Sequence, residues 1–294
     1  MPGPIQLAVI GGSGFYEMPG LSEVEELAID TPFGDPSDAI RVGTLNSVRV
    51  AFLARHGRGH RLLPSEIPQR ANFWALKSLG VERVIAVSAV GSLREDYAPG
   101  EAVIPDQLVD RTRGARPSTF FGEGIVAHVS LAEPFCGTLS SAVADAASGV
   151  GTQVHRGGSY VVIEGPAFGT RAESELYRSW GVSLVGMTAL PEAKLAREAE
   201  LCYAMIATVT DYDAWHDGHA AVDAATILRV LSGNVEMSRE IVRQLAGNLP
   251  SGDCTCRHSL DASLITQPAA ISDAVKTRLR PILDRRLQME ETPA

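Results

Sequence analysis

The chain lacks any long hydrophobic run. No stretch of about 18 consecutive apolar residues occurs, so no membrane-spanning helix is expected. An excess of positive charge is also missing: 26 lysines and arginines against 35 acids leave a formal net charge of -9. Nucleic-acid binding needs a basic footprint, and this balance argues against it. Cysteine is scarce, with Cys136, Cys202, Cys254 and Cys256 the whole set. Four are too few for a disulfide framework in a chain of 294 residues. Cys254 and Cys256 form one C-x-C, but no second pair or nearby histidine cluster completes a zinc site. No metal is therefore expected; reduced thiols and a C-x-C disulfide both stay open. The opening MPGPIQLAVIGG has neither a basic n-region nor a small-residue cleavage site, so a cytoplasmic location is expected.

What is present belongs to an ordinary globular protein: 45% hydrophobic and 21% charged residues. β-rich runs cover 5–10, 48–54, 83–89, 160–164, 182–187 and 203–210, and most are continuously apolar, as in a sheet covered on both faces. Helical periodicity lies between many of them. Ser65 and Pro68 mark one start, and Thr170 stands at capping-box spacing from Glu173 with Gly181 as the stop. Pro191 opens another helix, Asp223 caps a long amphipathic one, and a last helix runs from about 272 to 287 with a kink at Pro281. Strands 40–45 and 48–54 read as a hairpin across Asn46-Ser47. The expectation is an α/β fold: one domain over 1–294 with a mixed central sheet flanked by helices. Residues 111–124, rich in glycine and arginine with exposed-looking Phe120 and Phe121, read as a functional loop or lid.

Several strand ends carry anion-binding chemistry. GGSG after the first strand fails the dinucleotide fingerprint, since Glu17 stands where its last glycine belongs, and fails the P-loop too. It remains a turn whose N–H groups and Ser13 hydroxyl suit an anion, or a plain tight turn. ARHGRGH places Arg55, His56, Arg58 and His60 at a strand end, followed by Arg61. Guanidinium forks match phosphate oxygens, and an imidazole adds a donor. VSAVGS offers Ser88 and Ala89; GMTAL offers Met187 as an apolar floor and Thr188 as a hydroxyl or a helix cap. The ends GGSG, ARHGRGH and VSAVGS, on one edge of a parallel sheet, together point to a phosphate site. Phe168 offers a face for ring stacking or core packing. TDYDAW then ends an apolar strand in Asp211 and Asp213. In extended geometry both point to one face, where they suit a ring nitrogen and an exocyclic amine; they could otherwise cap the next turn.

In this order, GGSGFYE, ARHGRGH, SAVGSLREDYAPGE, VIEGPAF, TRAESELYRSWG, MTALPEAKLAREAE and TDYDAW resemble the trimeric purine nucleoside phosphorylase family, over roughly residues 8–230. The resemblance implies a partly barrel-like mixed sheet and a homotrimer, or a dimer of trimers, with active sites at the interfaces. It implies phosphorolysis of a purine nucleoside, with inorganic phosphate as co-substrate and no metal or organic cofactor. By that resemblance Ser13, Arg55, His56, Ser88, Ala89 and Thr188 hold phosphate, Met187 faces the ribose and Phe168 the base. Asp211 and Asp213 read the purine N7 and 6-amino group, Asp211 as general acid. His128 is lent by a neighbouring subunit, and Ala224, Ile227 and Leu228 wall a 5'-methylthio group. The substrate implied is 5'-methylthioadenosine, split to adenine and 5-methylthioribose 1-phosphate. Members preferring 6-oxopurines resemble this chain but carry asparagine in place of Asp211 and lack the second acid, so TDYD argues for adenine. Gly169 and Ala167 depart from the family pattern beside Phe168. A broader or 6-oxopurine specificity is the alternative. ARHG also resembles the strand-end motif of histidine phosphatases, and a non-catalytic nucleoside binder is the third class.

Overall fold

The computed structural model describes residues 4–12, 17–114, 116–216 and 224–291. The strands are β1 (Leu7–Gly11), β2 (Ser22–Leu27), β3 (Ile40–Leu45), β4 (Val48–Ala54), β5 (Arg83–Ser92), β6 (Ala102–Ile104), β7 (Gln107–Arg111), β8 (Val154–Arg156), β9 (Ser159–Ile163), β10 (Leu184–Gly186) and β11 (Cys202–Asp211). They join one mixed sheet in the order β2-β3-β4-β1-β5-β10-β9-β7, with β11 branching from β5 and β6 and β8 following it. The helices are α1 (Gln69–Ser78), α2 (Gly137–Gly149), α3 (Arg171–Ser179), α4 (Ala189–Glu198), α5 (Ala224–Gly247), α6 (Asp273–Arg278) and α7 (Arg280–Glu291). Among the described residues no helix is long and apolar enough to cross a membrane.

The continuous apolar strands are explained by two cores, one on each side of the sheet. In β5, Val84, Ala86 and Val90 enter one core, while Ile85 and Val87 enter the other. In β11, Tyr203, Met205, Ala207 and Val209 alternate with Cys202, Ala204 and Ile206 in the same way. Residues of α1, α4 and α7 cover the first face and residues of α2 and α5 the second. A strand buried on both sides has no polar face to keep, so alternation vanishes from its sequence.

β3 and β4 form the expected hairpin, and Asn46 and Ser47 both adopt positive φ, the geometry of the tight two-residue turn. The Thr170–Glu173 capping box is present in full. Leu190 stays extended before Pro191, so the regular part of α4 starts at that proline. Other expectations are corrected. Pro68, not Ser65, sits at the N-cap of α1, without a side-chain cap. The single C-terminal helix is two: Ser272 caps α6, and the break falls at Leu279, ahead of Pro281. Asp223 lies outside the described residues.

The 111–124 segment is no free lid. Phe120 is buried, and its N–H and the Thr119 hydroxyl donate to Glu198 at 2.7 Å each. Arg116 donates to Glu164 Oε1 (2.9 Å) and to the carbonyls of Glu164, Met187 and Leu190. That guanidinium ties the segment to the strand ends bearing Met187, a packing role that composition cannot distinguish from a ligand role.

Candidate active site

β1, β4, β5 and β11 run parallel, so their C-terminal ends meet on one side of the sheet. β10 lies antiparallel to the end of β5 and carries Met187 and Thr188 back towards Ser88. A cavity of about 420 Å³ opens there. Of the residues expected in a site, Arg55, His56, Ser88, Ala89, Phe168, Met187, Thr188, Asp211 and Asp213 line it. Ser13 lies outside the described residues, as do the side chains of Ala224, Ile227 and Leu228, although all three stand in the first turns of α5. His128 is exposed and is not among the cavity's residues; its N–H is held by the Ser263 carbonyl at 2.8 Å.

One end of the cavity suits phosphate, but by a different arrangement from the expected cluster of free cations. The Ser88 and Thr188 hydroxyls are 3.4 Å apart, and both side chains are largely buried. Arg55 is 1% exposed and its fork is already engaged by Glu192, 0% exposed. Nε donates to Oε1 at 2.5 Å and Nη2 to Oε2 at 3.3 Å, while Nη1 and Nη2 also donate to the Val87 and Ile10 carbonyls. Four of the five guanidinium N–H groups are thus used. Burial works against this charge, but Glu192 outweighs it and holds the guanidinium above its ordinary pKa. Arg58 turns away to Glu26 and Asp38. Arg61 lines the cavity and makes no ion pair among the described residues. The run RHGRGHR therefore disperses into one buried pair, one surface pair and one cation facing the cavity.

His56 is corrected as well. Its Nδ1 lies 2.8 Å from the Leu62 carbonyl, and a carbonyl only accepts, so Nδ1 carries the hydrogen. Burial, with the charges of Arg55 and His60 adding, lowers the imidazole pKa to about 4. The ring is then neutral at pH 7, and its Nε2 is an acceptor instead of the extra donor expected from the sequence.

The opposite end holds the two acids. Asp211 is the last residue of β11, where a register shift separates it from Val209. Asp213 opens a short 3₁₀ helix, Asp213–Trp215, at φ 52°. The two side chains converge because the chain turns, and not through strand alternation as the spacing suggested. The Asp213 N–H donates to Asp211 Oδ1 at 2.8 Å, and the Thr210 hydroxyl to Oδ2 at 2.7 Å. Burial raises the Asp211 carboxyl, against the pull of both bonds. Burial also raises Asp213, and the charge of Asp211 adds to that rise. Gly91 makes the convergence possible. A Cβ there would sit 3.2 Å from Asp213 Cβ, 3.3 Å from Asp211 Oδ1 and 3.0 Å from a Val185 methyl.

Met187 and Phe168 line the same cavity. Phe168 is 54% exposed at the rim, so it is not core. Glu192 and Thr210 escaped sequence reasoning, whereas Arg61 belonged to the cation cluster the sequence singled out. Glu192 sat unnoticed inside a helix signature, and its only available signal was a charge on an otherwise buried helix face.

An α/β sheet that brings two buried hydroxyls and paired, raised carboxyls into one cavity fits an enzyme that handles a polar, nucleoside-like small molecule. The profile of the phosphorylase superfamily matches residues 6–246, and the chain belongs to that superfamily. It is 58% identical over 280 residues to the S-methyl-5'-thioadenosine phosphorylase of Chloroflexus aurantiacus, covering 95% of this chain and 97% of that protein. It is 52% identical to that of Geobacter sulfurreducens, over 94% and 97%. Among solved structures, a methylthioadenosine phosphorylase from an antarctic soil metagenomic library superposes with a TM-score of 0.90 at 46% identity, over 95% of this chain and 99% of the other. The Schistosoma mansoni methylthioadenosine phosphorylase in complex with adenine gives 0.81 at 34% identity, over 95% and 98%.

Proposed function

We propose that this chain catalyses phosphorolysis of 5'-methylthioadenosine, giving adenine and 5-methylthioribose 1-phosphate. The observation that carries this reading is the Asp211–Asp213 pair seated against Gly91 in the cavity that also holds Ser88 and Thr188. The names of the relatives agree with it.

The C1'–N9 bond breaks through an oxocarbenium-like state, and its electron pair leaves with the purine. Asp211, whose carboxyl burial pushes towards the protonated form, acts as the acid and donates to N7. Asp213 accepts from the 6-amino group. A phosphate oxygen bonds to C1' on the opposite face. Ser88, Thr188, the Ala89 backbone, the remaining Arg55 N–H and Arg61 bind the anion, with Ser13 as a further phosphate ligand. His56 Nε2 accepts a hydrogen bond from the P–OH of monohydrogen phosphate. The proton that phosphate loses on forming the sugar phosphate passes to solvent, and Asp211 regains one from solvent, so the proton given to the purine is balanced. Met187 lies under the ribose and Phe168 against the base; Ala224, Ile227 and Leu228 enclose the methylthio group. Proton donor and nucleophile are both supplied, so the reaction requires no metal or organic cofactor.

The working unit is a homotrimer, in which a neighbouring copy brings His128 to the 5' end. Two observations support this: His128 is not among the residues lining its own cavity, and Phe168, which lines it, is 54% exposed. Four unlinked thiols suit a reducing cytoplasm.

The test is purified protein with and without phosphate on methylthioadenosine, adenosine, methylthioinosine and inosine, ranked by kcat/KM. Adenine release that depends on phosphate, with methylthioadenosine preferred, is expected. Equal release without phosphate, or preference for the 6-oxo pair, refutes the reading.

A further inference from the structure

The C-x-C that had no partner in the sequence acquires two in the fold. Cys136 stands at the N-cap of α2, Cys202 opens β11, and Cys254 and Cys256 follow α5, at and within the 3₁₀ turn Thr255–His258. All four Sγ atoms lie within 4.8 Å of one another, and Cys136 Sγ is 3.6 Å from Cys254 Sγ. Three of these residues are buried and Cys254 is half-buried. We propose that Cys136, Cys202, Cys254 and Cys256 form a closed tetrathiolate site for one zinc ion.

The dimensions suit that ion. Zinc bonds thiolate sulfur at about 2.3 Å in a tetrahedron, which sets sulfur–sulfur edges of about 3.8 Å. The four sulfurs need only small adjustments to reach that geometry. The donor set is soft and contains neither carboxylate nor imidazole, which selects zinc over magnesium or calcium.

The surroundings suit the charge. Four thiolates around a dication leave two negative charges. The Leu139 N–H reaches Cys136 Sγ at 3.5 Å, at the positive end of α2, and the Arg197 guanidinium reaches Cys256 Sγ at 3.5 Å. Arg83 and Arg257 line a small cleft that opens onto Cys136, Cys202 and Cys254, an entry path for the metal. Binding releases the thiol protons to solvent and involves no change of oxidation state.

The role is structural. Four protein ligands leave no open coordination position, and no cysteine lines the catalytic cavity. The ion would staple the chain after α5 to the start of β11, the strand that ends in Asp211.

The test is protein produced in zinc-supplemented medium and purified under reducing conditions. Metal analysis should find one zinc per chain. The double variant Cys254→Ser/Cys256→Ser should lose it, melt at least about 5 °C lower, and keep kcat/KM at 25 °C within about twofold. Cobalt in place of zinc should give thiolate charge-transfer and tetrahedral d–d bands. Zinc-free reduced protein, an intact mass showing two disulfides, zinc retained in the double variant, or a cobalt spectrum without thiolate bands would each overturn the site.

Discussion

Arg55 and Glu192 form a fully buried ion pair at the phosphate end of the cavity, with Nε 2.5 Å from Oε1. Tyr203 adds its hydroxyl to the same carboxylate at 2.9 Å. Breaking such a pair from one side leaves an uncompensated buried charge, which typically costs about 3–5 kcal/mol. Glu192→Ala should therefore lower the unfolding free energy by about that amount and raise the KM for phosphate. Denaturant melts and phosphate titrations check both. A loss below about 1 kcal/mol would show that Arg55 finds another partner.

Asp211 serves catalysis at the expense of the fold. A carboxyl with a raised pKa binds its proton more tightly folded than unfolded. Its contribution is most favourable at acid pH and is lost as pH rises through the raised value. Asp211→Asn removes that penalty, so at pH 7 the variant should be at least as stable as the parent. Its kcat should still fall by about 10²–10⁴ for want of a general acid. Near-normal turnover in this variant would dismiss Asp211 as the acid.

His56 has the opposite sign of effect. Its folded pKa of about 4 lies below the ordinary value of 6.5. Between those values the unfolded chain takes up a proton that the folded chain refuses, so this group lowers stability as pH falls from about 6.5 towards 4. Imidazole NMR should show one neutral tautomer, protonated at Nδ1, throughout the neutral range. A titration near pH 6.5 in the phosphate-free protein would contradict the burial argument.

Gly91→Ala tests the seat of the acids. The added methyl meets the Val185 side chain and both aspartates at 3.0–3.3 Å. Overpacking of this kind costs about 1–3 kcal/mol. Because two of the three contacts are the proposed base-reading groups, kcat/KM for adenine nucleosides should fall by at least tenfold. Unchanged kinetics would mean that the acids can move without consequence.

Base choice should follow the identity of the acids. Asp211→Asn combined with Asp213→Val replaces two groups that match a 6-amino purine. The ratio of kcat/KM for methylthioadenosine over methylthioinosine should drop, and an unchanged ratio would count against the proposed base edge.

Sequence alone determined what depends on neighbours along the chain. The continuously apolar strands, the Asn46-Ser47 turn, the Thr170–Glu173 box and the order of strand-end motifs are local, because periodicity, turn geometry and capping act over a few residues. Short or polar strands such as β2, with its exposed run of glutamates, were illegible for the same reason: their pairing partners hold them, not their composition. Tertiary structure alone decided where charge ended up. Glu192, 137 positions from Arg55, neutralises the cation that looked most like a free phosphate ligand. Leu62 fixes the tautomer of His56, a turn and Gly91 bring Asp211 and Asp213 together, and four distant cysteines meet at one point. Electrostatics and metal-ligand chemistry depend on distance through space and on burial, and neither is set until the chain has folded.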